Sequence, residues 1–286
     1  MVITFMNMKG GVGKTTMCIH TAALFASSPN RVLVIDYDPQ FNASQHLMKP
    51  KRYFELEREN RTILSVLSPP TKKVTPFVLA MPAGNDPLPP LEDLNTNVFK
   101  FHNGGRLDLL PGTLNLMYLA LGQSRESLAP MEERFGKYAQ ICANAYDYVF
   151  IDCHPAGSFL TKTALLASDH VVIPVAPDAF SKRGIVLMQE FLEYLSKFGK
   201  QPGISIAFNR IPRVNYDGRF EREIREDTTL GDKCLTQVIH DWAAIRTALA
   251  EQTLVYWIRR PWKLYAGREY IRLSQELRTR VSPPAP

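Results

Sequence analysis

No segment of this chain approaches the ~20 uninterrupted apolar residues that a bilayer-spanning helix needs, so helical membrane insertion is not expected. Cysteine is also scarce. Cys18, Cys142, Cys153 and Cys234 stand singly with no C-x-x-C spacing, which argues for reduced cytosolic thiols and against disulfides or zinc. No histidine pair sits at metal-ligand spacing, and no Ser-centred nucleophile elbow is present. The N-terminus lacks a charged segment followed by an apolar one, so a secretory signal is not expected and a cytoplasmic location is.

In bulk the chain is ordinary. Its 286 residues and 45% apolar content fit one large α/β domain over 1–286. The charge is uneven. Residues 1–199 carry a net +1, whereas residues 200–286 hold 15 Lys and Arg against 10 Asp and Glu, a net +5. Most of these cations are arginine, the side chain suited to bidentate phosphate contacts.

Apolar runs at Val2–Met6, Arg31–Asp36, Arg106–Leu110, Tyr146–Asp152, His170–Val175 and Ile204–Asn209 read as strands. Between them lie helical patterns at Thr16–Ala26, with Ala23 and Leu24 toward the sheet, and at roughly Glu126–Ala145, Ser158–Ala167 and Lys182–Phe198. Continuous rather than alternating apolar strands, separated by helices, predict an α/β fold: a doubly wound, mostly parallel sheet with helices on both faces. Ligands of such sheets bind beyond the C-terminal strand ends, where Asp36, Asp152 and Asn209 fall. From Ser68 to Asp93 there are seven prolines. This density predicts a surface excursion at about 68–93, either a solvated loop or a partner surface. A Pro-rich tail follows at 282–286.

The strongest motif is Met8-Lys9-Gly10-Gly11-Val12-Gly13-Lys14-Thr15-Thr16, set between the first strand and first helix. Strand, glycine-rich turn and helix N-terminus form the context in which backbone N–H groups wrap a polyphosphate. Gly10, Gly11 and Gly13 allow close approach. Lys14 would reach the β- and γ-phosphates and the Thr15 hydroxyl would ligate Mg²⁺. The general pattern asks for Gly where this chain has Met8, and it has no counterpart to Lys9.

Residues 8–15 match the loop of the deviant Walker A ATPases, a P-loop NTPase class that includes the ParA, MinD, arsenite-pump and nitrogenase-reductase families. The resemblance implies ATP and Mg²⁺ as cofactors, a homodimer on ATP binding, and a Lys9 that reaches the phosphates held by the partner subunit. Asp36-Tyr37-Asp38-Pro39-Gln40-Phe41-Asn42 resembles the class's second motif. It implies that Asp38 positions or activates the attacking water and that Asp36 meets the Mg²⁺ water shell. Phe150-Ile151-Asp152 is similar to its Walker B segment, with Asp152 holding Mg²⁺ through water. The class has Thr-Pro-Pro after this aspartate; here Cys153-His154-Pro155 follows, leaving His154 open between a structural and a catalytic role. Asn209 resembles the residue that reads adenine, although a strand-end Asn also forms turns.

Within the class, one nucleotide motif argues against the arsenite-pump type, and the cysteine pattern argues against nitrogenase reductase. Lys263–Arg280 is amphipathic but has few apolar positions, and Glu269 and Glu276 interrupt its basic side. It reads as a final helix packed on the domain rather than a MinD-like membrane anchor. The chain is closest to the ParA (Soj-like) partition ATPases, which implies slow ATP hydrolysis, stimulation by a ParB-like or other partner protein, nucleoid association when ATP-bound, and non-specific DNA binding. The basic final third suits that task, with candidates Arg210, Arg213, Arg219, Arg222, Arg225, Arg246, Arg259, Arg260, Lys263, Arg268 and Arg272. With the first strand beginning at Val2, operator recognition by an N-terminal reader is not expected. The alternatives are a DNA-independent regulatory ATPase that controls a protein partner, and a MinD-like membrane-associated one.

Overall fold

The computed structural model describes residues 1–68, 86–120, 125–178, 181–257 and 264–282. The first half runs β1 (Val2–Phe5), α1 (Lys14–Ala26), β2 (Arg31–Tyr37), α2 (Asn42–Leu47), α3 (Pro50–Arg58), α4 (Leu64–Leu67), α5 (Leu91–Leu94), β3 (Thr96–Lys100) and β4 (Arg106–Leu110). The second half runs α6 (Leu116–Ala120), α7 (Arg125–Ala145), β5 (Tyr148–Cys153), α8 (Phe159–Ala167), β6 (His170–Val175), α9 (Ser181–Ser196), β7 (Gly203–Phe208), α10 (Arg219–Arg225), α11 (Ala243–Ala250) and α12 (Leu264–Val281). The strands form one sheet in the order β3-β4-β2-β5-β1-β6-β7. Every pairing is parallel except β3 with β4. The predicted mostly parallel, doubly wound α/β fold is the one observed.

Period-two alternation divides the core between the two faces. Leu33, Ile35, Val149 and Ile151 face α7, α8 and α9, packing with Phe135, Leu160 and Met188. Val32, Val34 and Phe150 face the other way, with Phe25 of α1 and Tyr270 and Leu273 of α12. Helix α1 is therefore covered on both sides, by the sheet and by α12, and it carries no polar stripe. Ala22, Ala23, Phe25 and Ala26 are fully buried, while Leu24 is half-buried; Ala23 thus lies where the pattern placed it and Leu24 lies toward the margin.

Strand β3 is an element the apolar pattern missed. It is a half-exposed edge strand with a register shift between Asn97 and Phe99, so no continuous apolar run marks it. Within the proline-rich stretch, residues 69–85 lie outside the described residues. Its C-terminal end is docked: Pro90 precedes α5, and Leu94 is buried. The Arg134 guanidinium donates to the carbonyls of Val66 (2.8 Å), Asp86 (2.5 Å) and Pro87 (3.2 Å), joining the two flanks of the stretch. Cys18, Cys142, Cys153 and Cys234 are buried free thiols, and no described helix is long and apolar enough to cross a membrane.

Candidate functional site

The C-terminal ends of β1, β2, β5 and β7 converge on one cleft of about 1110 Å³. Its floor is the loop between β1 and α1. Asn7, just past β1, donates from Nδ2 to the Pro174 carbonyl of β6 (2.8 Å) and accepts the Lys9 N–H at Oδ1 (2.9 Å), so the loop starts from a fixed point. Gly11 and Gly13 have φ of 76° and 85°, left-handed values that glycine adopts at little cost. A Cβ on Gly13 would lie 2.3 Å from the Asn209 amide nitrogen, so packing as well as backbone conformation requires glycine there. The first turn of α1 holds no acidic residue, and no side chain caps Gly13. The helix thus presents its N–H groups and the positive end of its dipole to the cleft.

Gly10, Gly11, Gly13, Lys14, Thr15 and Thr16 all line the cleft. Val12 is buried and takes part through its backbone: its carbonyl accepts from Asn209 Nδ2 at 2.8 Å. The neighbouring Arg210, with φ of 55°, donates from a guanidinium nitrogen to the Gly11 carbonyl at 2.8 Å. The end of β7 therefore clamps two successive carbonyls of the loop. Lys14 is buried, with Nζ 3.3 Å from the Lys9 carbonyl. Burial lowers its pKa, and the carboxylates of Asp152 and Asp38 oppose that shift. The Lys9 ammonium is paired with Asp178, just beyond β6.

The three expected aspartates occupy different depths. Asp38 lines the cleft; Asp36 and Asp152, paired in register on β2 and β5, lie behind it and are fully buried. Asp36 Oδ2 accepts from the Ser44 N–H (2.7 Å) and hydroxyl (2.6 Å), fixing the start of α2. Burial pushes the Asp36 carboxyl up to about 7 against those two bonds, with the charge of Asp38 adding to the rise. Asp152 is also raised well above the usual carboxylate range, by burial first and by Asp36 second. Neither of its oxygens makes a full hydrogen bond among the described residues; the Thr15 hydroxyl and Lys14 lie close enough to oppose the rise. Burial also works to raise Asp38. Bonds from His154 and the Gln40 N–H (2.9 Å), together with Lys14, outweigh it and hold Asp38 below the usual carboxylate range. His154 Nδ1 lies 3.4 Å from Asp38 Oδ1, a partner the sequence did not reveal.

Two walls of the cleft were not legible as site. Phe41, with φ of 42°, stacks on Tyr53 at 4.8 Å, and Phe54 joins them on one side. His240, Asp241 and Ile245 stand on the other. The only local signal for the first wall is a bulky residue directly after the D-x-D-P-Q motif.

The candidate DNA-contact arginines scatter. Arg210 belongs to the cleft. Arg213 stacks over Trp242 (3.8 Å), Arg219 pairs with Asp217, and Arg246 pairs with Asp241 (2.6 Å). Arg225 lies over Phe208 (4.6 Å), and Arg222 is exposed on α10. Arg268 and Arg272 are exposed on α12, while Arg259, Arg260 and Lys263 lie outside the described residues.

The AAA domain family matches residues 1–206. An uncharacterized protein of Pseudomonas putida is 30% identical over 227 residues, covering 76% of this chain and 71% of its own length. The chromosome partitioning protein ParA of Myxococcus xanthus is 30% identical over 210 residues, covering 72% of this chain and 62% of its own. Among solved structures, a plasmid partition protein of Borrelia burgdorferi bound to AMPPNP superposes with a TM-score of 0.73 at 21% identity, over 98% of this chain and 99% of its own. The two-lysine loop, the sheet order around it and these relatives agree: the chain belongs to the ParA family of P-loop ATPases.

Proposed function

We propose that this chain is an ATP-driven dimerising switch that hydrolyses ATP slowly, binds DNA without sequence preference in its ATP state, and positions or segregates a cargo. The observation that carries the reading is the cleft itself. Lys14, Thr15, the open N-terminus of α1 and the low-pKa Asp38 converge on the space a nucleotide triphosphate would fill. Solved relatives support the ligand: the Borrelia protein binds AMPPNP, and the cobyrinic acid a,c-diamide synthase of Mycobacterium smegmatis binds an ATP analogue with magnesium.

The residues suit Mg²⁺. Among the described residues no three of His, Cys, Asp and Glu are grouped to cage a metal. Both Asp152 oxygens and Asp36 Oδ1 are nonetheless buried without partners. That is the donor set expected for an ion that keeps most of its waters and is held mainly by phosphate. Thr15 would ligate it, with Asp152 and Asp36 acting through water. Bound Mg²⁺ would offset charge on the phosphates. Lys14 would bind the β- and γ-phosphates, Asp38 would orient the attacking water, and Asn209 would face the base. Lys9 would leave Asp178 to cross to the partner's phosphates. A ParB-like or other partner protein would stimulate turnover.

A second reading, a DNA-independent switch acting on a protein partner, is favoured by the internal pairing of Arg213, Arg219 and Arg246. A MinD-like membrane role has less support, since Tyr270, Leu273 and Leu277 of α12 are packed inside. Binding to random-sequence duplex DNA, followed by fluorescence anisotropy with ATP and with ADP across a salt series, separates the first two. The expected result is binding at least about tenfold tighter with ATP, falling steeply with salt as released counterions require. No gain with ATP at low salt removes DNA from the proposal and leaves the protein-partner switch.

A further inference from the structure

Glu269 reads in sequence as a charge that interrupts the basic side of the last helix. In the fold it points inward. Its side chain is 14% exposed. It accepts three hydrogen bonds from one short segment: the His240 N–H (2.9 Å), His240 Nδ1 (2.8 Å) and Trp242 Nε1 (2.8 Å). His240 and Asp241 line the cleft on the side where Asn209 stands. The segment's other side-chain ties, Arg213 over the Trp242 ring (3.8 Å) and Arg246 with Asp241 (2.6 Å), come from neighbouring loop and helix residues, whereas Glu269 reaches it from α12. The segment's backbone follows the far edge of the sheet through Ile239 N–H to the Phe208 carbonyl (2.9 Å) and Asp241 N–H to the Ile211 carbonyl (2.9 Å). It then turns into α11. One buried-side carboxylate with three donors is a strong, charge-assisted tie.

We propose that Glu269 is a positioning residue for the bound nucleotide: from α12 it holds the His240–Asp241 wall at the spacing that the base and ribose end of the ligand requires. This rests on the reading of the cleft as an ATP site. Glu276, two turns on along the same helix, supplies an internal comparison. It accepts the N–H groups of Thr236 (2.6 Å) and Gln237 (2.9 Å), which do not line the cleft. A carboxylate that merely ties α12 to its neighbour would behave like Glu276. One that shapes the ligand site would differ from it.

The test uses the full chain and two probes, ATP and inorganic tripolyphosphate, the second occupying the phosphate loop without touching the base wall. Glu269→Ala is expected to weaken ATP about tenfold while tripolyphosphate affinity stays within about twofold, since a lost charge-assisted tie is worth roughly a factor of ten. Hydrolysis should show the loss in KM with kcat nearly unchanged, and Glu269→Gln, which keeps one accepting oxygen, should recover part of it. Glu276→Ala should lower the melting temperature yet leave both affinities within about twofold, as expected for a surface-side tie. If Glu269→Ala does not fold, Trp242→Phe takes its place, removing one of three donors for about a threefold loss of ATP affinity. Unchanged ATP affinity in the folded variant, or an equal loss for both probes, overturns the proposal. A wild-type chain that binds tripolyphosphate and ATP equally well, or neither, overturns the ATP reading beneath it.

Discussion

The phosphate side of the cleft is one stretch of chain, Asn7–Thr16, whereas the opposite side is assembled from Asn209–Arg210, His240–Asp241 and α12. The first side obtains its geometry from local rules: two left-handed glycines, a helix start and a lysine five residues after another. The second depends on long-range ties. Asn209 and Arg210 bind loop carbonyls 197 and 199 residues away, and Glu269 binds a segment 27 to 29 residues back. On the proposed reading, phosphate binding would thus rest on contiguous backbone. Affinity for the rest of the nucleotide would rest on side chains that bridge distant elements. Substitutions on the two sides should therefore have different signatures, the first abolishing phosphate binding and the second grading it.

The largest effect is expected at Lys14. Lys14→Ala removes the buried ammonium that faces Asp38 and Asp152. It leaves Asp38 and Asp152 without that cation. Loss of ATP affinity should reach about a hundredfold or more, because the phosphates lose their ammonium partner and face the ionised Asp38 uncompensated. Calorimetric titration with ATP at fixed magnesium reads this directly. Affinity within a few-fold of wild type would mean that the loop backbone alone holds the phosphates, and the contrast between the two sides would collapse.

The same contrast explains what was legible in the sequence. The loop, the D-x-D-P-Q motif, the strand ending in Asp152 and the mostly parallel character of the sheet follow from short-range patterns, and each appears where the pattern placed it; the strand order does not follow from them. Asn209 stands out in the sequence because it closes an apolar strand and resembles the adenine-reading residue of the class. Arg210 is an exposed arginine, as a DNA-contact candidate is expected to be, and its bond to the Gly11 carbonyl is a long-range contact that no local pattern shows. Glu269 and Glu276 look like surface charges on a helical wheel for the same reason. Strand β3 was missed because a bulged antiparallel edge carries neither a continuous apolar run nor strict alternation. His154 could be singled out as a departure from the motif, whereas its approach to Asp38 depends on how β5 and β2 lie side by side.

A smaller effect is expected where α12 meets the helix of the phosphate side. Arg278 donates to the Ser28 hydroxyl (2.6 Å) and the Leu24 carbonyl (3.0 Å), with its guanidinium over the Phe25 ring at 4.6 Å. Arg278→Met keeps the stem length and removes these interactions. Stability should fall by about 2 kcal/mol, given the worth of hydrogen bonds to a charged group and of a cation–π contact. Arg272→Met, on the exposed face of the same helix, should shift it by less than about 0.5 kcal/mol. Urea midpoints of the two variants test the difference. Equal losses would show that α12 is held by its apolar face alone, and that its arginines are interchangeable surface charges.

The smallest effect is a slope with pH, and it comes from a residue that touches both sides. His20 lies on α1, fully buried, with Nδ1 2.8 Å from the Thr16 carbonyl. Its Nε2 accepts the Val255 N–H at 3.1 Å, and its ring stacks on Tyr270 of α12 at 4.7 Å. Accepting that N–H requires an unprotonated Nε2, so the ring is the neutral Nδ1–H tautomer. Burial lowers its pKa to about 3, the Thr16 carbonyl opposing and His46 adding to the shift. The unfolded chain protonates this histidine below about 6.5. Between those two values the unfolded state binds the extra proton, so the contribution is complete above about 6.5 and is lost as pH falls toward about 3. The expected loss is about 1.4 kcal/mol per pH unit across that window. His20→Asn removes the titrating group. Its stability should start lower at neutral pH but fall more slowly on going to pH 5.5, the gap between wild type and variant narrowing by about 1.4 kcal/mol. A gap that stays constant across that interval would assign the acid sensitivity to carboxylates elsewhere. The contact between α1 and α12 would then be indifferent to the charge state of His20.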